Sequence, residues 1–357
     1  MKILHLIYDH VNNPWVGGGG AVRVYEIYKR LSERGHVITV ISGNYPGAKD
    51  YKVNDNFEYK FVGSQKNYII STFSYAFYTN RLLKDIHKNY DVIVEDFAPW
   101  NPIFSYKFEE YTKVILQIQL YAGLEILKKY NIIGVPFFLI EKFYPKRFKN
   151  IIVVNEVLNK KFNINGYVIP NGVDFTVENN AVFDGKYLGY LGRVDIIQKG
   201  LDIAVNSMKN IPDVDFIVAG NGKDKDKFIK LIKNIPNIKY VGKLSGEDKI
   251  NFIKNTKFLL IPSRFEGQGI VALEAAAMGK PVIVSDIPEL KYVVENGFGI
   301  SFKSGDSVDL KRKILFLLEQ PELIKEMGKK GIEFAKNFTW DKISKIYENY
   351  LLTVLQK

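Results

Sequence analysis

A chain of 357 residues with 46% hydrophobic content is long enough to bury two cores of ordinary size. The absence of cysteine excludes a disulfide framework and a thiolate metal site, and suits a reducing compartment. A formal charge of +11 implies either attraction to a polyanion (nucleic acid, anionic lipid or a phosphorylated small molecule) or simply a lysine-rich solvated surface.

In chain order, the opening run Met1 to Ile7 is apolar for too few residues before Asp9 and His10 to be a signal segment or a membrane span. It reads as a buried first strand, with the cytoplasm as the expected location. Short β-branched runs then alternate with helical patterns, the signature of βαβ units and a parallel sheet. Strands are predicted over 2–8, 37–42, 59–62, 92–94, 114–118 and 151–154, and a helix over 22–34 closed by Gly35. In the second half strands are predicted over 187–191, 215–219, 238–241, 258–261 and 281–284, each followed by a helical stretch. The α/β pattern thus occurs twice. The punctuation Pro170-Asn171-Gly172 suits a crossover turn, and the expected division is 1–165 for a first Rossmann-like domain and 166–335 for a second, with a terminal helix over 336–357. No zinc-finger spacing, aromatic RNA-binding signature or basic dimer helix is present, so no nucleic-acid partner is expected.

Two stretches carry the chemistry. In Tyr187-Leu188-Gly189-Tyr190-Leu191-Gly192-Arg193, Arg193 ends a strand, and Lys199 precedes the next helix. Both cations can reach one sheet edge, as a diphosphate requires, although an exposed Arg and Lys in a loop is the plainer alternative. In Pro262-Ser263-Arg264-Phe265-Glu266-Gly267-Gln268-Gly269-Ile270, a strand, a glycine turn and an alanine-rich helix ending at Gly279 place backbone N–H groups beside the same edge. Glu266 and Glu274 are eight residues apart. On one helix their backbones would be roughly 12 Å apart, which disfavours a close retaining glycosidase pair; the plainer alternative is a loop carboxylate and a surface helix residue. Asp213-Val214-Asp215 spells a short acidic metal motif, but it enters a strand instead of leaving one, so no metal role is expected.

The glycines of Trp15-Val16-Gly17-Gly18-Gly19-Gly20-Ala21 lack the spacing of a dinucleotide fingerprint, which weakens a nicotinamide dehydrogenase. They still permit close backbone approach to a ligand, or form a plain surface turn. The segment 125–149 mixes aromatic and aliphatic residues with Lys128, Lys129, Lys142, Lys146, Arg147 and Lys149, against Glu125 and Glu141, a net of 6 − 2 = +4. It fits either an anionic membrane surface or a packed helix pair with a solvated lysine face.

Taken in order, these motifs resemble glycosyltransferase family 4, a retaining family with the GT-B fold. The carriers are Glu266 and Glu274, Gly192-Arg193 with Lys199-Gly200, Pro170-Asn171-Gly172-Val173-Asp174, Ala219-Gly220-Asn221-Gly222, Phe338-Thr339-Trp340, and the glycine run followed by Arg34-Gly35-His36-Val37. The resemblance implies two Rossmann-like domains facing across a cleft, a last helix crossing back to the first domain, and transfer of a hexose-type sugar from a nucleoside-diphosphate sugar to a hydroxyl acceptor, lipid-linked glycans included. It implies that no metal or other cofactor is needed. It gives Arg193 and Lys199 the diphosphate, Glu266 the sugar hydroxyls and Glu274 the ribose. Gly18, Gly19, Gly267, Gln268, Gly269 and Ile270 complete the donor site. Two departures stand out: Gln119, a candidate sugar or acceptor contact, replaces a common histidine and cannot act as a base, and Gln268 replaces a frequent aromatic residue. The competing readings are an epimerase of the same fold and a non-enzymatic sugar-binding protein. The expected location is the cytoplasm, peripheral to the membrane's cytoplasmic face.

Overall fold

The computed structural model describes residues 1–174 and 184–356. The chain divides into two compact units, one of Met1–Asn171 with Trp340–Lys357 and one of Gly172–Thr339.

The first unit holds an eight-stranded sheet of β1 (Lys2–Ile7), β2 (Val37–Gly43), β3 (Tyr51–Asn54), β4 (Phe57–Val62), β5 (Val92–Asp96), β6 (Lys113–Ile118), β7 (Asn150–Val153) and β8 (Tyr167–Val168). Their order is β3-β4-β2-β1-β5-β6-β7-β8, parallel except for the antiparallel β3–β4 edge. The second unit holds β9 (Tyr187–Leu191), β10 (Phe216–Ala219), β11 (Ile238–Gly242), β12 (Thr256–Ile261), β13 (Val282–Ser285) and β14 (Gly299–Phe302), all parallel, in the order β11-β10-β9-β12-β13-β14. Central strands such as β1, β12 and β13 are buried on both faces, which is why they read as unbroken apolar runs rather than alternations.

Both sheets use the doubly wound order, so each has a switch point where the winding reverses: between β1 and β5 in the first, and between β9 and β12 in the second. Ligands of such sheets bind outside the carboxyl ends of the strands at that point.

The division falls six residues after the expected 165/166 boundary because Tyr167–Val168 pairs in parallel with β7 and so stays in the first sheet. The residues that follow the expected crossover, 175–183, lie outside those described. The terminal helix is Trp340–Gln356, and its residues belong to the first unit. It is fastened to the helix Gly19–Glu33 and the turn after it: Arg30 pairs with Asp341 at 2.7 Å, while Arg34 and His36 each reach Glu348 at 2.7 Å. Gly35 adopts φ +87, the left-handed conformation expected of a residue just past a helix end. The helix itself starts at Gly19, not Val22, so two of the glycines form its first turn and Gly18 caps it with extended backbone. Low glycine propensity is overridden here by packing: a Cβ on Gly20 would stand 3.0 Å from Nε2 of Gln119.

Candidate active site

In the second unit, β9 ends at Leu191 and the chain turns through Gly192 to Arg193, while β12 ends at Ile261 and turns through Ser263 to Glu266. The switch point therefore brings together residues 67 positions apart: Lys199 Nζ donates to Glu266 Oε1 at 2.5 Å, and Ser263 Oγ donates to the same oxygen at 2.7 Å. Glu266 is buried. Burial alone drives its carboxyl up, but the Lys199 ammonium, the hydrogen bonds from Lys199 and Ser263, and the Arg193 guanidinium outweigh that and hold it below the ordinary carboxylate range. A group held anionic is a hydrogen-bond acceptor and a poor general acid, so Glu266 does not supply the acid that a glycosidase pair requires.

Arg193 is oriented by Gln198, whose Oε1 accepts from Nη2 at 3.0 Å, while its Nε is buried without a protein partner. The turn between Arg193 and Lys199 is fixed by Asp195, which accepts from the Gln198 N–H at 3.0 Å and pairs with Lys223 at 2.7 Å. Burial raises the Asp195 carboxyl, but Lys223 and these hydrogen bonds bring it below its ordinary value. Gly200 closes the turn at φ +65, and a Cβ there would lie 1.9 Å from the Pro262 carbonyl oxygen. Only glycine permits the two turns to touch, and that contact sets the reach of Lys199 toward Glu266.

Gly269, at φ +75, caps the helix Ile270–Ala277 without a side-chain hydrogen bond, so the first-turn amides, Ile270 among them, point at the same strand ends. The loop leading to it is pinned from below. Tyr292 Oη donates to the Gln268 carbonyl at 2.9 Å, and burial followed by the Glu266 charge raises that phenol far above its ordinary value. Gln268 itself is buried. Glu274, four residues into the helix, accepts from Lys249 Nζ at 2.8 Å. The site residues predicted on this unit thus cluster at one sheet edge, with Glu274 set along the helix. Asp215 precedes β10 and pairs with Lys239 at 2.9 Å on the surface.

In the first unit, Gly18 and Gly19 open the helix Gly19–Glu33 beside Gln119, just past β6. Gln119 Nε2 donates to Asp96 Oδ1 at 2.8 Å, so its carbonyl oxygen remains an acceptor. Asp96, at the end of β5, is held on its other oxygen by Gln117 and His5, each at 3.0 Å.

Ser263, Gln198, Asp195, Lys249 and Asp96 were not singled out as site residues from the sequence. Each acts through a partner far along the chain or across a turn, and spacing does not reveal that. Ser263 stood inside a quoted motif, and its place at the end of a strand was the available signal.

The sequence model described as Glycosyltransferase Family 4 matches residues 17–177, and that described as Glycosyl transferases group 1 matches residues 175–334. An uncharacterized glycosyltransferase of Methanocaldococcus jannaschii is 31% identical over 65% of this chain and 67% of its own length. The phosphatidyl-myo-inositol mannosyltransferase of Mycobacterium leprae is 26% identical over 50% of this chain and 52% of its own. Among solved structures, sucrose-phosphate synthase from Thermosynechococcus elongatus superposes with a TM-score of 0.83 at 17% identity over 100% of both chains. An Anabaena protein solved in complex with UDP and glucose does so with 0.76 at 16% identity, over 99% of this chain and 100% of its own. At such identities the likeness concerns the fold.

Proposed function

The chain belongs to glycosyltransferase family 4, with the GT-B fold, and from that premise we propose that it is a retaining, metal-independent transferase moving a hexose-type sugar from a nucleoside-diphosphate sugar to a hydroxyl acceptor. The observation that carries this reading is the meeting of Lys199, Glu266 and Ser263 at the switch point of the second sheet, with Arg193 held beside them. Lys199 and Arg193 take the diphosphate, whose charge grows as it leaves, and the helix-end amides after Gly269 add to them. Glu266 orients the sugar hydroxyls, Gln268 and Gly267 shape the loop around them, and Glu274 accepts from the ribose. The bound UDP of the Anabaena neighbour supports a nucleotide donor.

In the step proposed, the bond from the anomeric carbon to the phosphate oxygen breaks and its electron pair leaves with the diphosphate. The acceptor oxygen bonds to the same face, and its proton passes to the departing phosphate oxygen. Neither Glu266, held anionic, nor Gln119 is needed as a base. On the first unit, Gln119 offers its carbonyl oxygen to a sugar or acceptor hydroxyl, and Gly18 and Gly19 offer backbone amides to a phosphate. The acceptor is proposed to be lipid-linked, with the basic, aromatic segment 125–149 resting on an anionic membrane; the phosphatidyl-inositol acceptor in the name of the Mycobacterium leprae relative supports this.

Incubation with a panel of nucleoside-diphosphate sugars and alkyl glycosides in EDTA, read by proton NMR of the new anomeric centre, tests the reading. The expected product keeps the donor's anomeric configuration. An inverted product overturns retention, a strict requirement for divalent metal overturns metal independence, and an isomerised donor with no transfer product favours the epimerase.

A further inference from the structure

The helix Tyr68–Ile86 in the first unit has its polarity reversed. Its buried face carries Ser71, Thr72 and Thr79 beside Tyr75 and Leu83, while Ile69, Ile70, Phe73, Phe77 and Tyr78 are exposed, Ile69 by 65% and Phe77 by 64%. Two of the buried hydroxyls donate to backbone carbonyls, Ser71 to Asn44 and Thr72 to Tyr68. The exposed stripe at positions 70, 73, 77, 81 and 84 follows the helix repeat, and it changes from apolar at its first turns to cationic at Arg81 and Lys84.

The apolar part does not end with this helix. Phe73 packs against Phe137 at 6.4 Å between ring centres, which joins it to the helix Val135–Phe143 and to Ile132 and Ile133, 83% and 72% exposed. The one acidic residue of that second helix, Glu141, is turned inward, where it accepts the N–H groups of Ala122 and Gly123 at 2.8 and 2.6 Å, with Lys161 the lysine whose charge acts on it. A continuous apolar face of this kind, edged by cations, is uncommon on a protein that meets only water.

At the cationic end lies a groove of about 670 Å³ between the helix and the segment 102–107. Arg81, Lys84 and Lys107 line it against a single carboxylate, Asp85, giving 3 − 1 = +2, and Phe77 and Phe104 form its apolar sides. Phe104 stands at φ +61, a conformation bulky residues rarely take, held by its N–H to Tyr144 Oη at 2.6 Å and by Asn80 Nδ2 donating to the Ile103 carbonyl at 2.7 Å. That backbone presents the Phe104 ring to the groove, with the Lys107 ammonium 5.3 Å above the ring centre.

We propose that this groove seats the phosphate head group of an anionic phospholipid while the Ile70, Phe73 and Phe77 stripe enters the acyl boundary of the same bilayer. The two ends of the stripe match the two layers of a lipid surface in order, apolar for the acyl region and cationic for the phosphates. Among the described residues no helix is long and apolar enough to cross a membrane, so this contact is one of lying on the surface. The inference rests on the membrane-facing part of the proposed function and is independent of the donor chemistry.

The test is co-sedimentation with phosphatidylcholine vesicles, with and without phosphatidylglycerol, for the wild type, Arg81→Gln/Lys84→Gln and Phe73→Ser/Phe77→Ser. Both pairs lie on exposed surface and leave folding intact, which circular dichroism checks. Wild type is expected to bind only the anionic vesicles. Removing the two cations should weaken that binding by about 30-fold, the loss of about 1 kcal/mol per basic residue, and the serine pair should weaken it at least as much. Wild-type binding to anionic vesicles that the two variants share unchanged overturns this site while leaving a membrane role to segment 125–149. Absence of wild-type binding, or equal binding to neutral vesicles, overturns both, and neither result touches the nucleotide site.

Discussion

Replacing Lys199 by alanine is expected to lower turnover by about 10²–10³-fold, the effect of removing one fixed donor from a developing anion. The side chain meets Glu266 at 2.5 Å in a largely buried site, so its removal also leaves a carboxylate with Ser263 as its remaining hydrogen-bond donor. That second effect is one of stability, on the order of 1–3 kcal/mol. The double variant Lys199→Ala/Glu266→Gln separates the two: it relieves the unpaired charge and should regain stability in thermal unfolding while turnover stays low. Turnover near wild type in the single variant would remove Lys199 from the diphosphate role. Recovery of turnover together with stability would reduce it to a structural ion pair.

The second large effect is expected at Arg23, which is fully buried inside the first unit. Its guanidinium donates to Gln117 Oε1 at 3.3 Å, the Pro170 carbonyl at 2.7 Å and Asn171 Oδ1 at 3.2 Å, and so ties the first helix to the sheet and to the end of the unit's long segment. Burial works against its charge, and Tyr347 and Asp96 close by oppose that. Arg23→Ala strands three acceptors and opens a cavity, which should destabilise the first unit by about 3–5 kcal/mol in chemical unfolding followed by circular dichroism. Arg23→Lys keeps the charge but not the planar fork that reaches separate segments, and should recover only part. A loss below about 1 kcal/mol for the alanine variant would show that the acceptors find other partners.

The doubly wound architecture was legible because parallel strands buried on both faces leave apolar runs, and those at β1, β9 and β12 stand out even from short windows. The strands that escaped were those without such a face. Tyr51–Asn54 is an edge strand with exposed, polar positions, Tyr167–Val168 is two residues long, and Gly299–Phe302 is a short outer strand opening on a glycine. The missed pairing of Tyr167–Val168 is also what displaced the expected domain boundary. The glycine run was read as loop because intrinsic propensity argues against a helix there, whereas packing beside Gln119 decided otherwise.

At the candidate site, the sequence brought forward Arg193, Lys199, Glu266 and the glycine turn as candidates, since each stands shortly after a predicted strand in a motif of the resemblance. Their partners could not be read the same way. That Lys249 meets Glu274, or that Asp96 orients Gln119, depends on which strands neighbour one another, a property of the fold and not of local spacing. The reversed helix Tyr68–Ile86 is a related case, because the usual rule that apolar stripes face inward fails where the apolar side faces outward.

The central claim is a nucleoside-diphosphate site on the second unit that works without metal. Thermal unfolding in EDTA with UDP, GDP, ADP and CMP added separately tests it most directly, because a ligand that binds only the folded form stabilises it by about 2.7 kcal/mol at a hundred times its Kd. The account predicts a raised midpoint with one nucleoside diphosphate, and a much smaller shift in Lys199→Ala. No shift with any nucleotide, or one that appears only when a divalent metal is restored, would contradict it.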